Sequence, residues 1–120
     1  MNTPRQIRDE LALATADAAR RTPGVAFLRP GIVDRLRASA ASRAGRPGAG
    51  EGAGGPGVRV RALDGGPAAW HIDIQLVARA SHRSLDVTRA VRAAAGAAAE
   101  EVLSGPGDRV RISVTVVGIV

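Results

Sequence analysis

From Trp70 to Val77 the chain alternates, with Trp70, Ile72, Ile74 and Leu76 on one side and His71, Asp73 and Gln75 on the other. That period of two predicts a strand buried on a single face. The segment Arg109 to Val116 repeats it, with Val110, Ile112, Val114 and Val116 inward and Arg109, Arg111, Ser113 and Thr115 outward. Between the two, Ser84 stands where an N-cap would, Asp86 suits the positive end of a helix dipole, and Gly105-Pro106-Gly107 supplies a stop. The interval predicts a helix of about five turns. Its small or apolar positions Leu85, Thr88, Val91, Ala95, Ala98 and Val102 recur at helical spacing. A helical crossover of this length predicts that the two strands it joins run parallel.

Upstream, Thr3, Pro4 and Gln6 have the spacing of a capping box with proline at the first helical position. Ile7, Leu11, Ala14 and Ala18 then line one stripe, expected to cover the sheet as core, and Thr22-Pro23-Gly24 ends the helix. Val25-Ala26-Phe27-Leu28 predicts a short edge strand, and residues 32–42 a helical turn or two. The stretch 43–57 is dominated by Gly, Ala and Pro and reads as a flexible insert with nothing to bury. Val58 to Ala62 alternates again, and Asp64-Gly65-Gly66-Pro67 turns it into the following strand as an antiparallel hairpin. The expected architecture is a single domain over residues 1–120 and an α+β two-layer sandwich. It has a mixed, mostly antiparallel sheet of about four strands with two main helices on one face.

Composition narrows the chemistry. Without cysteine there are no disulfides, no thiolate metal sites and no cysteine nucleophile. The charged start Met-Asn-Thr-Pro-Arg-Gln-Ile-Arg lacks the apolar core of a secretory signal, and no apolar run approaches a membrane span, so a cytoplasmic chain is expected. The net charge is +6 and every basic residue is arginine. Such an excess suits nucleic acid, anionic lipid or an acidic partner, although Ala, Gly, Pro, Val and Arg together also mark GC-rich coding. With one Trp, one Phe and no Tyr, the stacking platforms of single-strand nucleic-acid modules are missing.

The succession resembles the alkaline shock protein family, small envelope-stress proteins of Gram-positive bacteria. An amphipathic helix runs into Pro23-Gly24-Val25, and after a variable insert Gly57-Val58-Arg59-Val60 opens a hairpin. The alternating Trp70–Val77 strand, a helix rich in Val and Ala, and the ending Val110 to Val120 complete the match. Family members often place a short strand before the first helix, whereas here a helix is expected from the first residues on, and Gly96 sits unusually in the middle of the second helix. The resemblance implies a non-enzymatic protein without cofactor or small-molecule substrate. It would gather at the inner face of the membrane through a membrane-anchored partner, act as a scaffold in the envelope stress response, and self-associate into oligomers. It carries over no catalytic residue.

Three constellations bear on function. Ser81-His82-Arg83-Ser84-Leu85-Asp86 contains the residue types of a hydrolytic triad, but helix capping by Ser84 and Asp86 explains the same letters. His71 and Asp73 lie two apart on one strand face and offer two metal ligands without a third. Most informative is the repeated Arg-Val-Arg. Arg59 and Arg61 on one strand, and Arg109 and Arg111 on another, project away from the core beside His71 and Gln75. These six residues form the candidate interaction surface, for an acidic partner segment or anionic headgroups. No catalytic, metal or cofactor residue is expected, and the competing function is a small arginine-rich nucleic-acid-binding domain.

Overall fold

A computed structural model describes residues 3–29, 57–63, 69–103 and 109–120. The order of elements is α1 (Pro4–Arg21), β1 (Val25–Leu28), β2 (Val58–Ala62), β3 (Ala69–Ala78), α2 (Ser84–Leu103) and β4 (Arg109–Ile119). The expected helical turn at 32–42, the insert up to residue 56 and the turns at 64–67 and 105–107 lie outside the described residues.

Helix α1 starts as its sequence dictates. Thr3 is the N-cap, its side chain accepting from the Gln6 amide at 3.2 Å while Gln6 Oε1 accepts from the Thr3 amide at 2.8 Å. Such a cap contributes about 1 kcal/mol. Helix α2 begins one residue earlier than the Ser84 cap predicted. The Val87 amide bonds to the Arg83 carbonyl at 3.0 Å, so Arg83 occupies the cap position and Ser84 is already helical.

Strand β3 is the centre of the sheet. It pairs antiparallel with β1 and β2 and parallel with β4, the sense the crossover requires. Because β4 follows β3 from Ala69 to Ala78, β1 and β2 must share the opposite edge. They do so end to end, β1 against Leu76–Ala78 and β2 against Trp70–Ile74. At the junction the Arg29 amide donates to the Gln75 carbonyl at 3.0 Å, and the Gln75 amide donates to the Gly57 carbonyl at 2.7 Å. Arg29 and Gly57 thus divide between them the two bonds that one residue of an unbroken strand would make. Four strands occupy three positions, and Arg29 and Gly57 meet opposite Gln75.

Both helices lie on one face of this sheet, above a single cluster that includes Leu11, Trp70, Ile72, Ile74, Leu76 and Val91. The buried stripes are rotated from those expected. In α1 they are Leu11, Ala12, Thr15, Ala16 and Ala19, with Ala14 and Ala18 only half-buried. In α2 they are Val87, Val91, Ala95 and Ala99, while Leu85 is 59% exposed. Alanine on nearly every side makes several rotations almost equal in burial, so contact with the sheet decides between them. Thr15, fully buried, returns its hydroxyl proton to the Leu11 carbonyl at 2.6 Å and leaves no polar debt in the core.

Coverage falls off toward β4. Trp70, Ile72, Ile74 and Leu76 are completely buried, whereas Val110, Ile112, Val114 and Val116, on the same face of the sheet, are half-buried. The strand repeats the rhythm of β3 but stands at an edge that the helices only partly reach.

Candidate functional site

The six candidate residues come together on the face of the sheet away from the helices. Register aligns them across the strands: Arg61 faces His71, which faces Arg111; Arg59 faces Asp73, which faces Ser113; and Gln75 faces Thr115. Arg109 lies opposite Ala69, at the rim. Pairing in a pleated sheet sends directly opposed side chains to the same side, so register alone gathers them.

The middle of this face is tied together by His71. Arg61 Nε donates to His71 Nδ1 at 3.3 Å, and His71 Nε2 is 2.9 Å from Ser113 Oγ. A guanidinium has only donors, so Nδ1 of the neutral ring carries the lone pair and the Nε2 proton points at the serine oxygen. The chain Arg61–His71–Ser113 therefore spans all three strand positions. It takes one of five guanidinium donors, and Arg61, Arg109 and Arg111 are exposed. Ser113 was an outward residue in the sequence pattern but not a candidate. Its part becomes visible only when β3 and β4 are known to be adjacent and in register, one pleat step apart.

The face holds four arginines and one carboxylate, Asp73, among its described residues. Two concavities among the described residues lie elsewhere. One of about 560 Å³ follows the outer groove between α1 and α2, lined largely by Ala14, Ala18, Ala90, Ala94 and Ala98; another of about 280 Å³ sits beside Phe27. Neither includes any of the six residues.

His71 and Asp73 lie on this face, whereas the Ser81–Asp86 constellation stays apart from it. Ser81 Oγ is 3.1 Å from His82 Nδ1, but both are exposed in the turn before α2, and the His82 ring lies against Gly24. Among the described residues, no group of three or more His, Cys, Asp or Glu side chains is placed to hold a metal ion, and no helix is long and apolar enough to cross a membrane. No family model matches the chain, and neither a curated protein nor a solved structure matches it significantly.

Proposed function

We propose that this chain is a non-enzymatic adaptor whose arginine-bearing sheet face docks on an acidic segment of a membrane-anchored protein at the cytoplasmic side of the membrane. The observation that carries the reading is the Arg61–His71–Ser113 chain, which braces a sheet face on which arginines outnumber carboxylates among the described residues. Guanidinium groups on β2 and β4, either side of β3 in a braced sheet, suit an extended acidic partner. Arginine can grip a carboxylate through two parallel bonds, so several side by side favour an extended acidic segment over a single ion. The role in the envelope stress response rests on the resemblance to alkaline shock proteins in the order and pattern of elements.

Charge reversal tests it. Arg61→Glu with Arg109→Glu, both at exposed positions, is expected to abolish recovery of membrane-fraction proteins with the tagged chain at low salt, with its circular dichroism unchanged. Undiminished recovery by the variant would sink the proposal, and recovery of the parent chain with ribosomes or chromatin would favour the nucleic-acid reading.

A further inference from the structure

Among the described residues, one edge of the sheet has no strand beside it. Among the described residues β4 pairs only with β3, so one side of its 11 residues carries backbone donors and acceptors that no described strand takes up. Edge strands of monomers are ordinarily short, or carry lysine, proline or a bulge that spoils pairing. Here the irregularity falls at the far end, where Val116 and Gly118 face consecutive residues of β3 and Val117 is extra. The arginines stand at the near end, and Ile112 to Val116 holds neither charge nor proline.

We infer that two copies of this chain associate through β4, antiparallel about a two-fold axis at Ser113, to make one continuous sheet. The strand reads as its own complement around that residue. Val110 meets Val116 and Ile112 meets Val114 on the helix side, Arg111 meets Thr115 on the open side, and Arg109 falls opposite the extra residue Val117. No arginine faces an arginine. Parallel in-register pairing would instead stack Arg109 on Arg109 and Arg111 on Arg111, and an antiparallel axis at Val110 or Arg111 would also oppose arginines. The half-buried Val110, Ile112, Val114 and Val116, which α2 fails to cover, gain apolar neighbours from the second copy in this register. The pairing is isologous and closes on itself, and it joins two arginine faces into one surface. It goes beyond the adaptor reading and does not depend on it.

The exposed Thr115 reads out the register, since each copy's residue 115 faces Arg111 of the other. In sedimentation equilibrium of the full chain, Thr115→Glu should tighten self-association and Thr115→Arg weaken it. Each shift should be roughly tenfold, because the axis doubles every cross-strand pair. Chemical cross-linking gives a second reading that does not rely on charge. The chain has no cysteine, so Ser113→Cys introduces its sole thiol, at the one position that faces itself and at a separation a disulfide spans. Mild oxidation should convert Ser113→Cys to a covalent dimer while Ser81→Cys, in the exposed turn before α2, stays monomeric. A parent chain monomeric at its highest soluble concentration, equal association of the two Thr115 variants, or equally fast cross-linking at 81 and 113 would each overturn the proposal. Loss of partner recovery in the Arg61 and Arg109 variant would leave these masses in place, so the two proposals fail separately.

Discussion

At the scale of single residues, two glycines carry opposite consequences. Gly57 has φ +89°, and a Cβ there would lie 2.7 Å from the Gln75 carbonyl oxygen and 2.8 Å from the Arg29 amide nitrogen. Backbone atoms on both sides cannot give way. Gly57→Ala is therefore expected to cost about 2–4 kcal/mol, from left-handed strain plus displacement of the strand junction. Gly96 stands in ordinary helical geometry, and a Cβ would meet only Ile112 Cδ1, at 3.7 Å. There Gly96→Ala should raise stability by about 0.5–1 kcal/mol, by restricting the unfolded chain and adding a contact. Urea titration of both variants checks the pair: an equal sign for the two changes would contradict the structure. The cost of Gly96 in a helix could be read from its neighbours in sequence. The role of Gly57 could not, because the atoms that forbid a side chain there belong to residues far away along the chain. The Trp70 indole is a third case. Its alternation predicted complete burial, but only the packed core reveals that its Nε1 donor has no partner among the described residues.

At the scale of elements, strands were more legible than helix faces. A strand has two sides, so apolar residues at every second position leave one choice, and β3 and β4 follow it. A helix rich in alanine has no such constraint. The stripe Ile7, Leu11, Ala14, Ala18 and the observed Leu11, Ala12, Thr15, Ala16, Ala19 differ by a modest rotation that hydrophobicity does not penalise. The split edge strand was illegible for another reason: β1 and β2 read as separate short strands, and only shared pairing with β3 makes them halves of one. This predicts that the sequence between the halves is dispensable for folding. Excision of residues 30–56 with Arg29 joined directly to Gly57 should leave the circular dichroism spectrum intact. Stability should stay within about 1 kcal/mol of the parent or above it, since the two strand halves no longer have to be brought together from distant points of the chain. An unfolded product would show that the junction needs the excised residues.

At the scale of the whole molecule, α1, β1, β2, β3 and α2 all contribute to one buried cluster, and β4 leans on it. With a single core, unfolding should be all-or-none. Trp70 is the only tryptophan and is completely buried, so its fluorescence follows the core while far-ultraviolet circular dichroism follows the helices. The two midpoints in urea are expected to coincide; an earlier loss of helix signal would mean that α1 or α2 melts on its own. The candidate surface is a property of this same scale. Alternation placed Arg59, Arg61, His71, Gln75, Arg109 and Arg111 outward, because the period of a strand is local and needs only the neighbouring residues. The class of fold followed equally from local information: the order of elements, and a helical crossover that makes β3 and β4 parallel. Which helix positions face the sheet, the union of β1 with β2, the bond from His71 to Ser113 and the incompletely covered edge at β4 were decided by tertiary structure alone. Each depends on contacts between residues distant in sequence, whose distances the periodicity of a single segment does not contain.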